Sequence, residues 1–388
     1  MSLFNLSASR PARRCLGLIS PWSRWAIAAT VCWLPMGAIA QTTLNTPHAT
    51  PPEITELNVF GDSLVDAGNL FNLSGFPPSP PYAQQLSNGP VWTTQLADAL
   101  NLHPVLSTAA LPNLANGATA LPTEGVNYAL AGSLTSAANS ASRDLPGLQQ
   151  QITAFKELSQ IAPPDPNALY VILAGGNDYN SAVSNPNTLP ESLTALPDQV
   201  TDNLTNAAAA LIESGAQYLL VSNLPDLGGQ PMADMLNQVK PQSSQRLSEL
   251  SARHNQLLSQ KLTALEATSG AKIIQLDLGS LFTSAIESPE DFGFTNVTDP
   301  CLIDAQPGFQ FKGVCENPDE FLFWDEQHPT EAGHRAIAQL ALSQLTQEED
   351  QASQEESQTS QQIPASLGVL GLVGSLGVGV IALRKRAQ

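Results

Sequence analysis

Leu57-Asn58-Val59-Phe60-Gly61-Asp62-Ser63-Leu64-Val65-Asp66-Ala67-Gly68-Asn69 decides how the rest of the 388-residue chain is read. An apolar run stops at a glycine, and an acid and a serine follow at once. A buried strand over Glu56 to Phe60, ending in a tight turn, produces this pattern and holds the next residue at the rim of a sheet. Open α/β sheets carry their reactive groups at that rim, outside the carboxyl ends of the strands. Ser63 is therefore a candidate nucleophile. A serine hydroxyl is a poor one until a base takes its proton, so the chain must also supply a base, a group to orient it and donors for the oxyanion.

The same signature recurs downstream. Gly125-Val126-Asn127-Tyr128-Ala129-Leu130-Ala131-Gly132-Ser133 is a second apolar run closing on a glycine. Ala168 to Ala174 is continuously apolar, the mark of a strand buried on both faces, and stops at Gly175-Gly176-Asn177-Asp178. Tyr218 to Val221 and Lys272 to Leu276 read as further strands, and His103 to Leu106 as a short one. Helical periodicity covers Val91 to Leu100, Leu145 to Ile161, Pro197 to Ser214, Gln245 to Thr268 and Glu331 to Leu345. Strands alternating with helices imply crossover units, a parallel sheet and a layered α/β fold. Residues 71–90, 107–124 and 179–196 read as loops, and residues 288–323 lack periodicity.

Asp325-Glu326-Gln327-His328-Pro329-Thr330 supplies the candidate base. Asp325 and His328 lie three residues apart in a loop ahead of a helix. A carboxylate that accepts from one ring nitrogen holds the imidazole in the tautomer a general base needs. Of the five histidines, His48 lies in a polar lead-in, His103 in a loop, and His254 and His334 in helices. Only His328 has an adjacent acid in such a loop. Gly132 and Asn177 are candidate oxyanion donors: a glycine N–H can approach a tetrahedral centre closely, and an Asn amide can donate to developing charge. Read singly, Gly132 is better explained by a tight turn, and Asn177 by a helix cap or Asx-turn.

Read together, Gly-Asp-Ser-Leu, Asn-Tyr-Ala-x-x-Gly, Gly-Gly-Asn-Asp and Asp-x-x-His-Pro-Thr occur in this order, the first three at strand ends. In these blocks the chain resembles the GDSL esterases and lipases of the SGNH-hydrolase superfamily, over about residues 55–345. Ser87-Asn88-Gly89-Pro90-Val91-Trp92 and Asn296 to Asp325 join the resemblance. It implies a flavodoxin-like three-layer α/β/α sandwich around a five-stranded parallel sheet. Ser63 would be the nucleophile, His328 the base and Asp325 its orienting partner. The Ser63 and Gly132 N–H groups and the Asn177 side chain would form the oxyanion hole. The substrate would be an ester or lipid, and no metal or organic cofactor is implied. Gln84-Gln85-Leu86 stands where relatives often carry Gly-Arg-Phe. No Gly-x-Ser-x-Gly elbow occurs, which argues against an α/β-hydrolase. An acyltransferase on the same fold, and a non-catalytic surface protein on a hydrolase scaffold, are the other two readings.

Composition bounds the partners. Net charge is −19, and seven of the sixteen Lys and Arg lie at the ends: Arg10, Arg13, Arg14, Arg24, Arg384, Lys385 and Arg386. Nine remain between residues 41 and 383, against all 35 acids. A surface that tracks nucleic-acid phosphates is excluded there, because that affinity comes mostly from Lys and Arg.

Residues 1–40 read as an export signal, with a basic front, an apolar Trp25 to Leu34 and a small-x-small site at Ala38-Ile39-Ala40. Residues 41–55 form the lead-in, and the hydrolase domain spans 56–345. Cys15 and Cys32 fall in the leader, leaving Cys301 and Cys315. Export makes a disulfide between them the expectation, with two buried free thiols as the alternative. Residues 346–362 are almost wholly polar and read as a disordered spacer. Ala365 to Leu383 is apolar and just long enough to cross a bilayer, with a basic end. Residues 363–388 resemble a bacterial C-terminal sorting signal of the Pro-Glu-Pro type, a substrate for a sorting protease, but Ile363-Pro364-Ala365-Ser366 lacks the Glu. Oligomeric state is not encoded in any pattern found.

Overall fold

A computed structural model describes residues 54–115, 122–161, 163–185, 193–303 and 311–361. Its centre is the run Ala168–Leu173, whose six side chains are all buried. Alternate residues point to opposite faces of a strand, so a strand with no polar face must be covered on both. Ala168, Tyr170 and Ile172 join one hydrophobic cluster, and Leu169, Val171 and Leu173 join the other. Those two clusters are the two cores of a three-layer α/β/α sandwich.

In chain order the strands of the main sheet are β1 (Glu56–Gly61), β2 (Val105–Leu106), β3 (Val126–Asn127), β4 (Ala168–Leu173), β5 (Tyr218–Ser222) and β6 (Lys272–Leu276). They pair in the order β2-β3-β1-β4-β5-β6, every pair parallel. Without the two-residue edge strand β2 the order is the flavodoxin-like 2-1-3-4-5. The sheet thus carries a sixth strand beyond the five expected: Val126–Asn127 pairs with β1 on one side and β2 on the other, and two residues are too few to announce a strand by pattern. The crossovers diverge on either side of β1, which puts a crevice at its carboxyl end, where Ser63 follows.

The helices are α1 (Asn69–Ser74), α2 (Trp92–Ala99), α3 (Ser107–Ala115), α4 (Leu148–Ser159), α5 (Gly176–Ser184), α6 (Leu196–Glu213), α7 (Pro231–Val239), α8 (Ser243–Ser269), α9 (Leu278–Glu287) and α10 (Glu331–Gln361). Helices α4, α5, α6 and α8 cover one face; α2, α9 and α10 cover the other through Trp92, Leu96, Phe282 and Ile337. The segment 288–323 forms short pairs instead: β7 (Asn296–Pro300) with β10 (Phe321–Phe323), and β8 (Leu302–Ile303) with β9 (Gly313–Val314).

Several expectations need correction. Residues 107–115 form α3 rather than loop, because Asn69 accepts from the Thr108 N–H and hydroxyl in its first turn, a partner supplied from a distant segment. Residues 176–184 form α5, a polar helix too short to show a period but burying Tyr179, Ala182 and Val183. Helices α7 and α9 are further elements that no reading of the pattern placed, and α1 takes residues 71–74 from a stretch read as loop. Finally, α10 runs on to Gln361 through the segment read as a disordered spacer. Its Gln, Glu and Ala are good helix formers, so propensity favours continuing the helix.

Residues 1–53, which hold the leader, and 362–388, which hold the apolar tail, lie outside the described residues. No described helix is long and apolar enough to cross a membrane.

Candidate active site

The Ser63 turn is fixed by the end of β1. Gly61 has φ 145°, and a side chain there would fall onto the Leu173 carbonyl of β4, so only glycine lets the two backbones meet. Gln151 of α4 clamps this peptide from the side: its Oε1 accepts from the Gly61 N–H at 2.8 Å and its Nε2 donates to the Gly61 carbonyl at 2.9 Å. The Asp62 carbonyl then accepts from Val65 and Asp66 N–H, which closes the turn under Ser63.

Two buried acids tie this turn to its neighbours. Asp66 accepts from the Gly68, Asn69 and Leu70 N–H groups and, with Oδ2, from Ala131 N–H at 2.9 Å. Asp178 of α5 accepts from Thr135 through both its N–H and its hydroxyl. Gly132 lies between those anchors with φ 81°, where a Cβ would meet Asn139 Oδ1 at 2.6 Å. Asn177 donates from Nδ2 to the Ser133 carbonyl at 3.2 Å. It lines one cleft with Ser63 and His328; Leu64, Leu224, Leu227 and Gln327 complete much of the wall. Gly132 and Ser133 are not among the residues lining that cleft; the Ser133 carbonyl is bonded to Asn177, which is. The Ser63 and Gly132 N–H groups donate to no other described residue.

His328 arrives from the far end of the chain. After β10, Trp324 N–H donates to the His328 carbonyl at 2.7 Å and closes the turn that carries Asp325. His328 Nε2 lies 2.9 Å from Ser63 Oγ. Its Nδ1 lies 2.8 Å from both Asp325 oxygens, so Nδ1 carries the proton and Nε2 faces the serine as acceptor. Ser63, from the first motif, is thus joined to His328 and Asp325, from the last, in one chain of hydrogen bonds.

The site's electrostatics follow from burial and pairing. Burial works against a charge on His328, but the Asp325 carboxylate, with Asp62 and Glu326 behind it, outweighs this and raises the ring above its usual value. Burial likewise opposes ionisation of Asp325; the imidazole and the Gln327 and His328 N–H groups overcome it and keep the carboxyl below its usual value. Asp62, beside Ser63, is pushed up to about 7 by burial, and Asp178 to about 6. The His254 and His334 rings are driven down to about 3 by burial and stay neutral in the core; Tyr179 bonds the first, and the Trp92 N–H donates to the second.

Behind the acid turn, Cys301 and Cys315 form a disulfide with Cα atoms 4.9 Å apart. Cys301 N–H donates to Phe323 O and Leu302 N–H to Trp324 O, so the disulfide loop is stitched to the strand that delivers Asp325. From the opposite side, Ser87 Oγ donates to the Pro329 carbonyl and Asn88 Oδ1 accepts from Glu331 N–H at the start of α10. The Ser-Asn-Gly-Pro block was legible as a motif, but its job of holding the turn was not. Gln151 and Tyr82, whose hydroxyl donates to Asp325, carried no signal in the sequence, while Asp66 and Asp178 stood in the Ser63 and Asn177 stretches with no role legible for them.

Residues 57–341 match the GDSL-like Lipase/Acylhydrolase family. The chain belongs to that family. Among curated relatives of this GDSL enzyme, the Vibrio parahaemolyticus thermolabile hemolysin is 28% identical over 77% of the chain and 65% of its own length. The chain therefore spans just under two thirds of that relative. The Aeromonas hydrophila phosphatidylcholine-sterol acyltransferase is 29% identical over 76% of the chain and 80% of the relative. GDSL esterase/lipase 5 of Arabidopsis thaliana is 25% identical over 83% of the chain and 90% of the relative. This GDSL protein is a carboxylic-ester hydrolase of the esterase/lipase type.

Proposed function

We propose that the enzyme cleaves esters through an acyl-enzyme on Ser63. His328 Nε2 takes the Ser63 proton as Oγ attacks the ester carbonyl carbon. The resulting oxyanion is received by the Ser63 and Gly132 N–H groups and the Asn177 side chain. His328 then returns the proton to the leaving alkoxide, freeing an alcohol and leaving the acyl group on Oγ. Water attacks the acyl carbon with His328 again as base; His328 then returns that proton to Ser63 Oγ as the acyl–oxygen bond breaks, and carboxylic acid departs. Asp325 holds the ring and stabilises the imidazolium that forms in each step. The observation that carries this reading is the unbroken relay of Ser63, His328 and Asp325 at 2.9 and 2.8 Å. Its test is a short-chain p-nitrophenyl ester: Ser63→Ala should leave no enzymatic turnover while circular dichroism stays unchanged, and wild-type turnover in that variant would end the proposal.

A second reading is favoured by the likeness to an acyltransferase. An alcohol would then replace water in the second step, and added acceptor alcohol should divert product from free acid to new ester. Constant acid yield at all acceptor concentrations counts against it.

The reading extends to location. Residues 1–40 act as a leader cleaved after Ala40, the 301–315 disulfide suits an oxidising compartment, and Ala365 to Leu383 tethers the enzyme to the cell envelope, with residues 363–388 open to a sorting protease. Fractionation of cells expressing the chain with and without residues 363–388 tests this; equal release of both forms removes the tether.

A further inference from the structure

Asp325 receives hydrogen bonds from two sources. Its Oδ1 takes N–H groups from its own turn, those of Gln327 at 2.9 Å and His328 at 2.8 Å, besides the ring Nδ1. Its Oδ2 takes, besides that ring, the hydroxyl of Tyr82 at 2.9 Å, from 243 residues upstream. Tyr82 is 4% exposed. Its ring meets Trp324 edge-on at 6.1 Å and shares a small apolar cluster with Cys301 and Leu302. Burial and the neighbouring carboxylate hold the phenol above its usual pKa, so it remains a donor.

We propose that Tyr82 is a positioning residue for the triad, its hydroxyl fixing the plane of the Asp325 carboxylate and drawing off part of its charge. The proposal rests on the reading of Asp325 as the acid that orients His328. A carboxylate held only by its own turn can rotate about χ2; a buried hydroxyl on the outer oxygen removes that freedom. The same bond shares the negative charge, so the carboxylate holds the imidazolium less tightly than it would alone. The other titratable groups facing His328 are Glu326 on its own turn, Asp62 beside Ser63, and His334 on α10, which burial keeps neutral.

Tyr82→Phe tests this, because it keeps the ring packing and removes only the hydroxyl. The expected result is kcat down by about tenfold, the size of one lost bond to a charged group, with KM within about twofold of wild type. The acid limb of kcat/KM should also move to higher pH, since an undiluted carboxylate grips the ring proton harder. A merely structural tyrosine would lower thermal stability and leave the limb in place; an unmoved limb with wild-type kcat overturns the proposal. A double-mutant cycle separates the layers. If Asp325→Asn collapses kcat and Tyr82→Phe adds nothing further in that background, the two act through one bond. If the two losses multiply, Tyr82 acts elsewhere and the proposal fails. If Asp325→Asn retains wild-type kcat, the triad reading itself fails, whatever Tyr82→Phe does.

Discussion

Ser63 and His328 face each other across 2.9 Å, yet the two sides of that gap are built differently. The serine side grows out of the sheet. β1 ends at Gly61, Gln151 clamps the last peptide, and Asp66 and Asp178 pin the neighbouring strand ends. Every support is one element away from the central strands. The histidine side grows out of non-periodic chain. Its turn hangs between β10 and α10 and is held by Ser87, Asn88, Tyr82 and a disulfide loop, all from elsewhere in the sequence. Ser63 is therefore placed by the fold, and His328 is placed by braces. Damage to a brace should cost catalysis without costing the sheet.

The largest effect that separates the two sides is expected from His328→Ala. It removes the proposed base while leaving the Ser63 turn intact, and kcat should fall by roughly 10⁴-fold or more with the melting temperature unchanged within a few degrees. A loss below tenfold would mean that the two sides do not act as one unit. Gly132→Ala attacks the serine side instead. A Cβ at φ 81° is strained and collides with Asn139 Oδ1, so the 132–135 loop must shift. The expected loss is about 10²-fold in kcat, the scale of a misplaced oxyanion donor.

How much of this was legible divides along the same line. Strand β4 announces itself because burial on both faces demands an unbroken apolar run, and β1, β5 and β6 because their short runs are mainly apolar. Ser63, Asn177 and Gly132 follow because each punctuates such a run. His328 and Asp325 were found through a motif, not a period. The missed elements are those whose stability is tertiary: β3 has two residues, α3 depends on Asn69, and α5 buries five residues of nine, two of them polar, without an apolar period. Gln151 and Tyr82 were invisible for the same reason. Each looks like an ordinary polar or aromatic residue until the fold brings it against Gly61 or Asp325.

Replacing Cys301 and Cys315 with serine tests the brace from outside the relay. Opening the loop should cost about 3 kcal/mol of stability in the chain-entropy model, read from denaturant unfolding. The serine side predicts that a fluorophosphonate still labels Ser63 in the folded fraction, more slowly because the base is less well held. Labelling at the wild-type rate would mean that the disulfide supports the fold and not the turn.

The smallest effect concerns pH. His328 must be neutral to act as base, and its partner Asp325 raises its pKa. Activity should therefore fall as pH drops through a midpoint above the ordinary imidazole value of about 6.5. Asp62, which titrates near 7, adds negative charge beside the ring only when ionised. Asp62→Asn should move the limb down by a fraction of a unit, measured from kcat/KM between pH 5 and 9; an upward shift would contradict the assigned sign.

The account stands most directly on where the acyl group goes. Rapid acid quench during turnover of a p-nitrophenyl ester, followed by intact-mass and peptide analysis, reads this in one step. The predicted result is a single acyl increment on the peptide carrying Ser63, absent in Ser63→Ala. An increment on another residue, or sustained turnover with Ser63 unmodified, would contradict it.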